Sequence, residues 1–359
     1  MRAAVFVAIL IAVTQPQTPA ASAQPPEAPR PSFSEWLAGV RAEALTRGIR
    51  QEVVDEALDQ VAEPMPVIIE RDRAQAEAVL SLEKYVSRSL APKTVKAGRE
   101  IVARHRATLD EVAKKYGVPA TIVAGIWGME SSFGRFRGSR PIVAALATLA
   151  WDPRRATFFR GELFNALEIL NRGDIDAAHM KGSWAGAMGQ AQFMPSSYLQ
   201  FAEDFDGDGR RDIWSTPADV FASIANYLKG KGWNADQTWG REVTVKPDAA
   251  RTIAAQVAHR TGGCRATRDM TVALPLAKWE ELGVRLPGGK PLPKSDHEAS
   301  LVSGTTRRFL VYPNYDVILD YNCANPYAIS VALLGEAVFG KAPVASTATK
   351  ARPAKRKRR

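Results

Sequence analysis

A chain of 359 residues with 46% hydrophobic and 24% charged residues has the composition of an ordinary folded protein and is long enough to bury a large core. Two cysteines and four histidines are too few and too scattered for a clustered zinc site. Most of the net charge of +10 sits in "KARPAKRKRR", residues 350–359, which holds seven Lys/Arg and no acid.

In chain order, Arg2, the apolar stretch Ala3–Val13 and Ala21-Ser22-Ala23 have the pattern of a secretory signal over 1–23, cleaved before Gln24. The apolar run is too short to span a bilayer, and no cysteine follows it to carry a lipid. The expected location is therefore outside the cytoplasm, as a soluble periplasmic protein. Residues 24–32 are a Pro-rich linker. From Phe33 the patterns are helical, and "EIVARHRATLDEVAKKYGVP", residues 100–119, is expected to form one helix that stops before Pro119.

The next segment, "AGIWGMESSFGRFRG", residues 124–138, carries a carboxylate where the periodicity is apolar. Ile122, Val123, Ile126, Trp127 and Glu130 recur at helical spacing, with Pro119 as the first helical residue and Ser131, Ser132 and Gly134 as the stop. Glu130 is then partly desolvated and lies near the negative end of a helix dipole. Both effects favour the protonated acid, the form a general acid requires. A last-turn glutamate that simply reaches water is the competing reading, and it is the commoner one for an isolated residue.

Residues 141–180 are helical again. "KGSWAGAMGQAQFMPSSY", residues 181–198, is a glycine-rich polar loop that leads into a helix at Pro195. "DFDGDGRRD", residues 204–212, resembles a calcium loop: Asp204, Asp206 and Asp208 occupy positions 1, 3 and 5, and the Arg210 carbonyl can supply position 7. Position 12 is Ser215 instead of glutamate. A solvated turn is the alternative. Beyond residue 240 the character changes. "REVTVKP" and "TVALPL" read as strands, "AKWEELGV" as a short helix, and "RRFLVYPNYDVILDYN" as two strands around a Pro-Asn turn. A last helix, "PYAISVALLGEAVFG", precedes a basic tail over 342–359. Cys264 and Cys323 can close one disulfide after export or remain two buried thiols.

Four stretches, "GMESSFGRFRG", "LATLAWDPRR", "GSWAGAMGQAQFMPSSY" and "YNCANPYAISVALLGEAV", resemble in this order the membrane-bound lytic murein transglycosylase B family (glycoside hydrolase family 103). The resemblance implies a mainly α, α+β fold: a goose-lysozyme-like helical core with an α-helical subdomain and a small β-rich insertion. In this chain that assigns 33–240 to the helical catalytic region, with the Asp-rich loop at 204–219, 241–318 to the insertion, and 319–341 to the end of the core.

It also implies cleavage of the MurNAc-β-1,4-GlcNAc bond of peptidoglycan with a 1,6-anhydromuramyl product and a single acid/base. Ordinary glycosidases use two carboxylates, whereas neither the Glu130 segment nor the glutamine loop offers a second. Matching the motifs gives Glu130 the acid/base role and sets Gln190, Arg154, Arg155, Tyr227, Tyr321 and Tyr327 against the substrate. Asp219 becomes the last acid of a structural calcium site with Asp204, Asp206, Asp208 and Arg210. No cofactor is required for the chemistry. The expected partners are peptidoglycan strands, with anionic envelope polymers or membrane surface for the tail, and no nucleic acid; the chain is expected to act as a monomer. A hydrolytic muramidase and a non-catalytic wall-binding protein are the competing classes.

Overall fold

The computed structural model describes residues 31–74 and 80–340. The signal segment, residues 24–30 of the linker and the basic tail lie outside the described residues. Among the described residues, no helix is long and apolar enough to cross a membrane.

The chain opens with α1 (Phe33–Thr46), α2 (Gln51–Leu58) and α3 (Pro66–Ala74). Ser32 starts α1 through a reciprocal bond with Glu35, each satisfying a backbone N–H that the helix end leaves open. α4 (Leu82–Ser89), α5 (Pro92–Arg104), α6 (Arg106–Tyr116) and α7 (Ala120–Ser131) follow. The single helix expected over 100–119 is therefore two, broken at His105. That ring packs edge-on against Trp127 and Phe221, at 5.8 Å from each, and the backbone leaves helical geometry to deliver it. Pro119 caps α7 instead of opening it, and Ser132 closes the helix in the left-handed region.

α8 (Ile142–Trp151) and α9 (Ala156–Arg172) form a hairpin that packs with α1 to α3. Two short strands, β1 (Arg140–Pro141) and β2 (Lys181–Gly182), pair antiparallel beside it. α10 (Pro195–Phe201) and α11 (Pro217–Gly230) complete the first helical part, and both begin with a proline whose missing N–H costs a helix start nothing.

The β-rich part is a five-stranded antiparallel sheet of β3 (Gly240–Val245), β4 (Leu274–Pro275), β5 (Val284–Arg285), β6 (Glu298–Ser303) and β7 (Arg308–Val311), in the order β4-β6-β7-β3-β5. It carries α12 (Pro247–Gln256), which has no counterpart in the sequence reading, then α13 (Arg265–Arg268) and α14 (Leu276–Glu281). Val243, Leu276, Trp279, Leu301 and Leu310 give it a core of its own, and the Trp279 indole donates to the Ala299 carbonyl at 2.7 Å.

The expected second strand of "RRFLVYPNYDVILDYN" is a helix, α15 (Pro313–Tyr321). Pro313 sits at its first turn, and a β-rich insertion that ran to residue 318 would cut through it. Tyr315, Val317, Ile318 and Leu319 are buried on a helical face. α16 (Asn325–Val338) then packs along α7 in the main core. Cys264 and Cys323 are joined as a disulfide, tying the start of α13 to the turn between α15 and α16. Arg260 holds Asp316 through one nitrogen at 2.9 Å to both oxygens, a second tie across the same seam.

Candidate active site

α7 is apolar on nearly every side, with Ile122 to Gly128 all buried, so its last turn carries Glu130 to the edge of the main core. There Tyr327, buried near the start of α16, donates its hydroxyl to Glu130 Oε1 at 2.5 Å. Burial pushes the Glu130 carboxyl up to about 7, while the Tyr327 bond pulls the other way by favouring the ionised form. No carboxylate is among the causes that move it. Burial raises the phenols of Tyr85, Tyr321 and Tyr327, and the Glu130 charge adds to each rise, which places it within electrostatic reach of all three. The centre is one half-buried acid among tyrosines.

Of the tyrosines marked in the sequence, only Tyr327 bonds to Glu130. Tyr321 donates to the Ala191 carbonyl at 2.6 Å and packs on Phe193 and Tyr227. Tyr227 donates to the Asp320 carbonyl at 2.7 Å and supports Tyr321 from behind. Tyr85 of α4 was missed. It lies in a segment with no motif, and its approach depends on α4 docking against α16. Glu83 secures that docking to the sheet by accepting the Thr306 and Arg307 amides at 2.7 and 3.1 Å.

Gln190, set against the substrate by the motif resemblance, is engaged by the protein itself in this structure. It is 5% exposed, and both ends of its amide are engaged: Oε1 accepts from the Trp127 indole at 2.8 Å and Nε2 donates to the Trp214 carbonyl at 2.9 Å. It fixes the helix that bears Glu130 to the loop after the aspartates. Gln192, two residues on, takes a positive φ of 51° and donates to the Gly189 carbonyl at 2.8 Å, so it turns the loop.

Arg154 and Arg155 converge on Asp72 of α3. Arg154 donates to its Oδ2 at 2.8 Å and to its carbonyl at 2.5 Å, Arg155 pairs with Oδ1, and Arg155 also lies 4.8 Å over the Phe159 ring. Asp72 is 4% exposed and needs this pairing. The two guanidinium groups hold α3 to the α8–α9 hairpin and do not touch Glu130.

Asp204, Asp206 and Asp219 bring carboxylate oxygens within 4.8 Å of one another. Asp208, expected as a fourth, is not in that group; it turns back to accept the Arg210 amide at 2.8 Å. Asp219 is fully buried, accepts the Phe205 and Asp212 amides at 2.7 and 2.8 Å, and is pushed up to about 6 by burial. Asp206 adds to that rise by repulsion.

A profile of the family described as "Transglycosylase SLT domain" matches residues 32–336. Over 263 residues the chain is 35% identical to membrane-bound lytic murein transglycosylase B of Escherichia coli (strain K12), covering 71% of this chain and 66% of that relative's length. The crystal structure of SltB3 from Pseudomonas aeruginosa in complex with NAG-anhNAM-pentapeptide superposes with a TM-score of 0.78 at 41% identity, over 86% of this chain and 80% of that one. Escherichia coli lytic transglycosylase Slt35 in complex with calcium gives 0.70 at 30%, over 84% and 92%.

Proposed function

The chain belongs to the transglycosylase SLT-domain family, and on that premise we propose that it is a periplasmic lytic transglycosylase that cuts the MurNAc-β-1,4-GlcNAc bond of peptidoglycan. The observation that carries this reading is Glu130, pushed up to about 7 by burial, with a tyrosine on its oxygen and no carboxylate of the described residues among the causes that move it. A carboxyl at about 7 is protonated in a large fraction of molecules at neutral pH, so it can give its proton to the leaving glycosidic oxygen as the bond to C1 breaks. The resulting carboxylate, steadied by the Tyr327 hydroxyl, then takes the proton of the muramyl C6 hydroxyl as that oxygen bonds to C1. Glu130 ends as it began and no water is consumed, which removes the need for a second carboxylate. Mass spectrometry of the digested wall tests this: anhydro products lack one water relative to hydrolytic ones, and products with ordinary reducing ends sink the proposal in favour of a muramidase.

The acid works in its protonated form, so activity is expected to fall as pH rises through about 7. Tyr327 favours the ionised form, and Tyr327→Phe should move that falling limb to higher pH while lowering the maximal rate. A limb that stays put in the variant separates Tyr327 from the acid.

We also propose that Asp204, Asp206 and Asp219, with the Arg210 carbonyl, hold a structural calcium ion. Oxygens within 4.8 Å of one another can share a cation whose bonds are about 2.3–2.6 Å long. The donor set is all oxygen, and the ion offsets the repulsion between Asp206 and Asp219, which adds to the effect of burial on Asp219. Calcium should then raise the melting temperature, and Asp206→Asn should abolish the shift without abolishing cleavage. Identical melting curves of metal-free protein with calcium and with chelator leave a solvated turn as the better account.

A further inference from the structure

A cavity of about 680 Å³ shares no residue with the Glu130 group. It opens between α2, the end of α9, the β1–β2 edge and the loop after the aspartates, and the size suits a ligand of several residues. Its cations are Arg50, Arg137, Lys181 and Arg210. Its acids are Glu56, Asp174, Asp176 and Asp212. Opposite charges in one cavity usually cancel by pairing, yet none of these Lys and Arg side chains pairs with one of these acids, and Asp176 instead bonds the His179 ring, which also lines the wall.

Two of the three arginines are tied elsewhere: Arg50 to Asn171, and Arg137 to the Trp214 carbonyl at 2.8 Å. Asp212 caps the Trp214 and Ser215 amides. These bonds build the walls, and the Trp214 indole, 5% exposed and bonded to the Lys181 carbonyl at 2.9 Å, makes one of them rigid. The exposed Lys181 and Glu56 side chains, like the exposed Arg210, line the cavity without a side-chain partner among the described residues.

We propose that this cavity is an accessory site for a zwitterionic peptide, the uncrosslinked stem peptide of a peptidoglycan strand, with its carboxylate toward Lys181 and its free amine toward Glu56. The inference rests on peptidoglycan being the substrate. Balanced charge favours a ligand that carries both signs over a polyanion, which would meet four acids here.

The test is calorimetry of the full chain with a synthetic stem peptide that has free carboxylates and one free amine. The peptide should bind, and Lys181→Ala and Glu56→Gln should each weaken it about tenfold. Acetylating the amine should erase the effect of the Glu56 substitution, and amidating the carboxylates that of Lys181. Cleavage of peptide-free glycan should be unchanged in both variants. Absent binding, binding that ignores both substitutions, or equal binding of the blocked peptides overturns the site. A chain that cuts no glycan but binds the peptide as described overturns the transglycosylase reading and leaves the cavity standing.

Discussion

Glu130→Gln is expected to fold normally and to lose glycan cleavage by about 100- to 10,000-fold or more, the range in which a positioned proton donor contributes. The amide keeps the size of the side chain and can still accept the Tyr327 hydroxyl, so the packing of α7 against α16 is unchanged. What it lacks is the proton. Turnover of purified wall, followed by release of soluble fragments, measures the loss, and a matching circular dichroism melt shows that the fold survived. A well-folded variant that retains substantial turnover removes Glu130 from the chemistry.

Gly335→Val should have the largest effect on stability. α7 and α16 lie so close that a Cβ at Gly335 would strike the Thr121 carbonyl, and one at Gly125 would strike the carbonyl of Val331. These are backbone atoms in two helices that cannot yield as a flexible side chain does. Overpacking of this kind costs typically 1–3 kcal/mol, and a β-branched side chain against backbone belongs at about 3 or beyond. Activity should fall with it, since α7 carries Glu130 and α16 carries Tyr327. Urea unfolding with the midpoint compared at constant slope gives the cost; a variant as stable as the parent would mean that the two helices part without penalty.

Much of this was legible in the sequence where local chemistry decides the outcome. The apolar periodicity around Glu130, the stop at Ser132 and the change to strands after residue 240 are local, and the structure has them. α15 was misread because Pro313-Asn314 serves a turn or a helix start equally well, and only the buried face of Tyr315, Ile318 and Leu319 chooses between them. Gln190 shows a different limit. An amide in a glycine-rich loop has the same chemistry whether it meets a ligand or a tryptophan, and the choice is made by Trp127 and Trp214, far from it in sequence. Arg154 and Arg155 were drawn to Asp72, an acid that α3 brings in from more than eighty residues upstream. Tyr85 has no signal near it at all.

The hydrogen bond from Tyr327 to Glu130 closes a loop of 197 residues. A contact so distant along the chain carries a loop-closure cost that local contacts escape. During synthesis, a chain emerging from the ribosome contains α7 long before α16 exists, so the acid is present and its partner is not. The Glu130–Tyr327 pair is thus completed by α16, the last helix among the described residues, and a chain that stops before α16 has a glutamate but no completed pair. On the function proposed above, catalytic competence becomes a report on whether the chain has been made through α16 and that helix has docked.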